Sequence, residues 1–189
     1  SAIQISNKNN ALVTIGIEPN FASTGYGYSQ FDRQSSFDYL AGFKVKTFAE
    51  KPHEKLAKRF VSSGDFLWNG GMFVWKVSSF FSELKIHMTE LNSQLEKIEK
   101  KVNANQDFSS LWQKIQPKSI DYGLMEKSDN IYVVKSEFDW NDLGSWDAVF
   151  EVSPKTKDQN VIRGEGLVID GKNNLIESDF PKPKSKSPI

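Results

Sequence analysis

The sequence contains no cysteine. That excludes disulfides, thiolate metal sites and a cysteine nucleophile, and it fits a reducing compartment such as the cytoplasm. Histidine is nearly as scarce, with only His53 and His87, so no histidine-built metal site is expected. Net charge is also lacking, because 24 Lys plus Arg balance 24 Asp plus Glu. A neutral chain carries no electrostatic footprint for nucleic acid or for an anionic membrane surface. No apolar run approaches the ~20 residues of a membrane span. The polar opening SAIQISNKNN is not a signal peptide, and its lack of an initiator methionine reads as a start inside a longer protein.

What is present suffices for a core. The 189 residues are 38% apolar and 25% charged, which argues against overall disorder. That length fits one domain, or one domain plus a piece of another. The stretch LWNGGMFVW, Leu67 to Trp75, is the centre of the reading. Phe73, Val74 and Trp75 favour buried, extended backbone. Gly70 and Gly71 remove Cβ atoms where the chain turns or a ligand approaches. Asn69 is expected at the mouth of a buried strand, where it suits a hydroxyl-rich ligand. A hairpin turn leading into a core strand explains the same residues.

The run ALVTIGI, residues 11–17, reads as a strand buried on both faces, of the kind found in parallel or mixed sheets. In TGYGY, backbone at Gly25 and Gly27 is free to lie against a flat or phosphorylated ligand, with Tyr26 and Tyr28 on one face. A glycine-weakened edge strand is the plainer account. FKVKTFAE, residues 43–50, alternates as a strand, with Phe43, Val45 and Thr47 facing one way. Pro52 stops it, and Leu56, Ala57, Phe60 and Val61 predict an amphipathic helix over 53–62. Glu50 and Lys51 then lie between strand end and helix start. An acid and a base placed there suit a sugar hydroxyl and a phosphate, and equally suit two solvated charges.

Leu84, Met88, Leu91, Leu95, Ile98 and Val102 follow a 4-3-4-3-4 spacing, which predicts one long helix with His87 on its polar side. A short helix is expected over 109–115. Ser119 reads as an N-cap with Asp121 in the first turn, where a carboxylate meets the positive end of the helix dipole. Ile131 to Val134 is a further apolar strand. FDWNDLGSW follows it, bringing Asp139 and Asp142 into a turn, with Ser145 capping a helix through Phe150. An aspartate beyond a strand's carboxyl end is a usual site position in an open α/β sheet, and an Asx turn explains Asp142 equally. From Asn160 short apolar couplets alternate with Gly, Asp and Asn, which reads as the first coil of a β-helix or a small hairpin. FPKPKSKSPI, at the end, reads as a linker or tail.

Six blocks together carry a resemblance: LVTIGIEP, TGYGY, FAEKP, SGDFLWNGGMFVWK, SIDYGLMEKS and FDWNDLGSWDAVFE. In this order and spacing they resemble the sugar-nucleotide pyrophosphorylases, and within them the mannose-1-phosphate guanylyltransferases. The SIDY and WND-GSW blocks point to the mannose branch. The resemblance implies an α/β fold, a mixed β-sheet flanked by helices in an incomplete Rossmann-like nucleotidyltransferase arrangement, with a small β unit beginning at the C-terminus. It implies a sugar-binding half-domain over 1–153, a β unit over 154–180 and a tail over 181–189. It implies transfer of a nucleotidyl group between GTP and mannose 1-phosphate to make GDP-mannose for glycan or polysaccharide supply.

The residue roles follow from the same resemblance. Gly25, with the neighbouring Tyr26, would border the sugar phosphate; Glu50 would bind sugar hydroxyls; Lys51 would bind the sugar-linked phosphate; and Asn69 would bind the mannose. Asp142 would be one of two aspartates holding Mg2+. Asp121 and Tyr122 match a family block without an assigned role. Gly70 stands where the family often has Ser, and Ser23 where it often has Glu. No GxGxRL-like loop and no Asp-His block occurs in this sequence, so the resemblance covers the second half of the catalytic domain. An enzyme for another sugar phosphate or nucleotide, or a non-catalytic sugar-phosphate-binding module, would share these blocks. Association with a second copy is left open. A half-domain is expected to leave the sheet edge beside ALVTIGI unpaired, which favours aggregation or a partner.

Overall fold

The computed structural model of the chain describes residues 1–36 and 42–179. The expected tail over 181–189 and part of the polar stretch after Phe31 lie outside these residues. The described residues form two compact units, one ending at Asp139 and the other beginning at Trp140.

The first unit is built on five strands: β1 (Leu12–Ile17), β2 (Tyr28–Phe31), β3 (Gly42–Ala49), β4 (Phe66–Val74) and β5 (Ile131–Lys135). They run in the order β1-β4-β2-β3-β5, and β5 returns to β1 to close the sheet. All neighbours are antiparallel except β1 and β5, so the sheet is mixed as expected. β1 is buried along nearly its whole length, in keeping with its nearly continuous apolar sequence. The expected open edge beside it is not found. Leu12 pairs with Ile131 on one side while Val13 pairs with Val74 on the other. Closure therefore satisfies the backbone groups that an edge would expose.

The strand pattern departs from simple alternation in two places. Asn69-Gly70-Gly71 does not reverse the chain as a hairpin turn; β4 runs through it. Gly16 pairs with Asn69 while Thr14 pairs with Phe73, so β4 carries extra residues opposite Ile15. This is a β-bulge, and Gly71 supplies the left-handed φ of 67° that it uses. In β3 the inward residues are Val45 and Phe48, and Thr47 is exposed. Gln30 pairs with Thr47 while the next residue, Phe31, pairs with Val45, so β3 carries an extra residue, Lys46, and this bulge shifts the inward side from Thr47 to Phe48.

Helices cover this sheet. The amphipathic stretch after Pro52 forms α2 (Glu54–Ser63), capped by the His53 side chain and ended by left-handed Gly64. It brings Phe60 onto Phe66 with ring centroids 3.9 Å apart. The polar opening is itself a helix, missed by the sequence pattern. This α1 (Ala2–Asn9) buries Ile5 against Val13 and Val134. The long helix expected through Leu84 and Val102 is two helices, α3 (Val77–His87) and α4 (Thr89–Asn103). Met88 breaks it with φ −132° and ψ 53°. Its side chain turns into the core cluster and lies against the bare backbone of Gly123, where a Cβ would come 2.6 Å from the Met88 sulfur. His87, at that break, is only 21% exposed and meets Glu83 at 3.3 Å. The short helix expected over 109–115 is a single turn, α5 (Ser109–Trp112).

Asp121–Met125 is one turn of π-helix. Ser119 Oγ accepts the Tyr122 N–H at 3.4 Å, so the serine acts at this turn much as a cap would.

The second unit contains α6 (Trp146–Val152), capped by Ser145 through the Ala148 N–H, and a parallel pair, β6 (Val161–Arg163) and β7 (Leu175–Glu177). Parallel pairing excludes a hairpin and matches one coil of a β-helix. Asn160 is the reason the coil closes: its Nδ2 donates to the Gly171 carbonyl at 2.8 Å, and its Oδ1 accepts the Asn174 N–H at 2.9 Å.

Closure of the first sheet leaves no room at Gly16. A Cβ there would lie 2.5 Å from Val133 and 2.7 Å from Leu67 side-chain atoms. Gly16→Ala is expected to lower the unfolding free energy by about 1–3 kcal/mol, the usual cost of overpacking. Urea titration reads this as a lower midpoint at unchanged slope. An unchanged midpoint would mean that β4 and β5 can part around β1 without loss.

Candidate functional site

The β4 bulge, the end of β3 and the π turn converge on Asn69. Bulges re-aim side chains, and here the Asn69 carboxamide is turned into a buried polar position, 9% exposed. Its Oδ1 accepts from Thr14 Oγ1 at 2.8 Å and from the Gly71 N–H at 3.2 Å. Its Nδ2 donates to Asp121 Oδ1 at 3.0 Å. Its own N–H donates to the Gly27 carbonyl at 2.7 Å. The amide is thereby fixed in one orientation, and one Nδ2 proton is left to donate.

Glu50 lies beside it. The side chain is 11% exposed, and Oε2 is buried with no hydrogen-bond partner. Oε1 is 3.9 Å from the Lys51 ammonium, a loose pair with an exposed lysine. Glu50 N–H donates to Glu126 Oε1 at 3.0 Å. Gly27 walls the same space: a Cβ there would collide with Glu50 Oε2 and lie 3.2 Å from the Asn69 Cβ. The cluster is rich in acceptors and roofed by bare backbone, so it is complementary to a ligand that brings hydroxyl donors. A buried acceptor without a donor costs free energy in the empty protein, and a hydroxyl would remove that cost.

Electrostatics agree with that reading. Burial pushes the Glu50 carboxyl above its ordinary range; the Asp121 carboxylate adds to the rise, Lys51 opposes it, and Glu126 adds again.

The other expected residues fall as follows. Asp121 joins the cluster through Asn69. Tyr122, next to it, is 42% exposed. The Gly25 N–H donates to Ser23 Oγ at 3.1 Å, and the Ser23 carbonyl accepts from the buried Tyr28 hydroxyl at 2.9 Å. Tyr26 stands edge-on to Trp68 at 5.1 Å, with Phe21 on the same indole at 4.8 Å. This shapes the loop that leads to Gly27. Gly70 is tightly enclosed, since a Cβ would lie 3.0 Å from the Ile15 carbonyl oxygen. Asp142 belongs to the second unit, where its Oδ1 accepts the Gly144 N–H at 3.1 Å in an Asx turn. Among the described residues no group of three His, Asp or Glu side chains is placed to hold a metal ion.

Two members of the cluster do not stand out in the sequence. Thr14 is a polar residue inside an otherwise apolar strand, and that break is its only signal. Glu126 lies five residues after Asp121, a spacing that joins the two only across a π turn.

The raised Glu50 carboxyl has a consequence for stability. A group whose folded pKa lies above its unfolded value favours the fold when protonated. That stabilisation is complete below the ordinary glutamate value of about 4.3 and is lost as pH rises through the raised value. Glu50→Gln is therefore expected to raise the melting temperature by a few degrees at neutral pH, with the gain shrinking as pH falls toward 4. A variant that melts alike at every pH would show that the carboxylate is not burdened.

The nucleotidyl transferase family matches residues 1–159. A mannose-1-phosphate guanylyltransferase of Klebsiella pneumoniae is 38% identical over 175 residues, covering 89% of this chain and 36% of the relative. One from Sinorhizobium fredii is 37% identical over 171 residues, covering 88% of this chain and 33% of the relative. The chain thus spans about a third of the length of these relatives. Among solved structures, one described as a mannose-1-phosphate geranyltransferase from Thermus thermophilus has a TM-score of 0.79 at 26% identity. The likeness covers 94% of this chain and 51% of that one. A mannose-6-phosphate isomerase structure from Helicobacter pylori has a TM-score of 0.62 at 29% identity, covering 75% of this chain and 55% of that one. Matched over most of its length, with the converging strands and turn inside the matched region, the chain belongs to the nucleotidyl transferase family.

Proposed function

We propose that this chain is the sugar-phosphate half of an enzyme that joins mannose 1-phosphate to GTP, forming GDP-mannose and pyrophosphate. The observation that carries the sugar half is the unpartnered, buried Glu50 Oε2 beside the fixed Asn69 amide. The names of the relatives support mannose and guanine. No residue of this chain is assigned to the base.

In the reaction an oxygen of mannose 1-phosphate attacks the α-phosphorus of GTP. The bond from that phosphorus to the bridging oxygen breaks, and pyrophosphate leaves with the electron pair. Both reactants are anions, so positioning and charge neutralisation supply most of the rate. Glu50 accepts hydrogen bonds from the sugar hydroxyls, and Asn69, locked by Thr14 and Asp121, donates one through its remaining amide N–H. Lys51 offsets the charge of the sugar phosphate. Gly25 and Tyr26 border it, and Gly27 lets Glu50 pack against Asn69. Asp142 offers a single carboxylate, which fits magnesium's habit of taking one or two carboxylates with phosphate oxygens and water. It would hold the ion with ligands beyond those described. When bound, magnesium supplies charge neutralisation at the phosphates.

The assignment of 1–153 to sugar binding, 154–180 to a β unit and 181–189 to a tail belongs to the same proposal. So does a cytoplasmic setting, where GTP is available. No helix of the described residues is long and apolar enough to cross a membrane.

Calorimetric titration of the chain with mannose 1-phosphate tests the sugar half, and pyrophosphate release by the complete gene product with GTP and magnesium tests the reaction. Gly27→Ala is expected to weaken sugar-phosphate binding by more than about tenfold, because the methyl would push the Glu50 carboxylate out of place against Asn69. Asp142→Asn is expected to slow pyrophosphate release by about a hundredfold or more while leaving the titration unchanged. Binding without turnover in the complete product would leave a sugar-phosphate-binding module and end the enzyme reading.

A further inference from the structure

Lys51 has a φ of 47°, in the left-handed region that non-glycine residues seldom adopt. It also precedes Pro52, which further restricts its backbone. Such a conformation persists only where neighbours over-determine it, and it accumulates at sites that grip ligands. The strand pairing of β3 with β2 ends at Ala49. Pro52 has no N–H to contribute. The Lys51 side chain, 3.9 Å from Glu50 Oε1 and 57% exposed, is too loosely paired to hold the turn. The interaction in place is the bond from Glu50 N–H to Glu126 Oε1 at 3.0 Å.

Glu126 reaches that N–H because of the π turn. Its own N–H donates to the Asp121 carbonyl at 2.9 Å, a link across five residues. Residues five apart therefore sit on the same face, which an α-helical turn would separate. One carboxylate, Asp121, secures Asn69, and the other, Glu126, secures the Glu50–Lys51 turn. The two ends of a single irregular turn thus hold both ligand-facing segments.

We infer that Glu126 is a positioning residue for the sugar phosphate: its carboxylate clamps the Glu50 N–H and fixes the direction in which Lys51 presents its ammonium. The inference rests on the sugar-phosphate reading of this site. Glu126 does not touch the ligand itself. Its oxygen acts on the backbone, so any side chain with an acceptor at the same reach serves.

That property separates positioning from charge. Mannose 1-phosphate is titrated into the chain and into Glu126→Ala and Glu126→Gln, with melting temperatures measured in parallel. Alanine is expected to weaken binding about tenfold, the equivalent of one lost hydrogen bond. Glutamine, which keeps the Oε1 acceptor, is expected to stay within about twofold of the wild type. Alanine binding as tightly as the wild type overturns the inference. So does glutamine failing as badly as alanine, since that outcome points to charge or to general damage. Failure of the wild-type chain to bind mannose 1-phosphate overturns the site reading itself, which distinguishes the two.

Discussion

The Asn69 carboxamide is the joint on which the first unit's site depends. It ties β1 through Thr14, its own strand through Gly71, and the π turn through Asp121, while the Asn69 N–H ties the loop before β2 through Gly27. Four segments distant in sequence meet on one residue whose planar amide cannot rotate without losing partners. A buried polar network of this kind is worth keeping only when satisfied, and partial satisfaction is destabilising. The bulge at Gly70 and Gly71 makes it possible. A regular strand would alternate past this point and turn the amide elsewhere.

Glu50 is the counterpart, the member left unsatisfied. Its buried oxygen without a donor, its neighbouring carboxylates and the strained lysine beside it all cost stability in the empty protein. Active sites commonly hold such costs, which the rest of the fold offsets. Here the offset is the closed sheet, whose core joins Leu12, Leu67, Leu124 and Val133.

Much of this was legible in the chain. The helix after Pro52 followed from its apolar spacing and its Gly64 stop. β1 followed from its nearly continuous apolar run, whereas Asn69 was expected at the mouth of a strand and lies within β4, at its bulge. Tertiary packing decided the rest. Met88 keeps the heptad spacing yet breaks the helix, because its side chain is drawn toward Gly123 from a distant turn. Thr47 and Phe48 exchange faces because β3 takes in Lys46 as an extra residue opposite β2. α1 has a single fully buried apolar anchor, Ile5, too little for a periodic signal. Of the site, Glu50, Asn69 and Asp121 were readable as residue types, whereas Thr14 and Glu126 became visible only when β1 and the π turn were brought beside them.

The closure of β1 between β4 and β5 also governs how the chain reaches its fold. Leu12 must find Ile131, and a partner so far along the sequence cannot be met by local search. At ordinary rates of translation about 10 s separates the emergence of the two strands from the ribosome. For that interval the flank of β1 that β5 covers has no partner. The ring that leaves this sheet without an open edge therefore cannot close before β5 has been made.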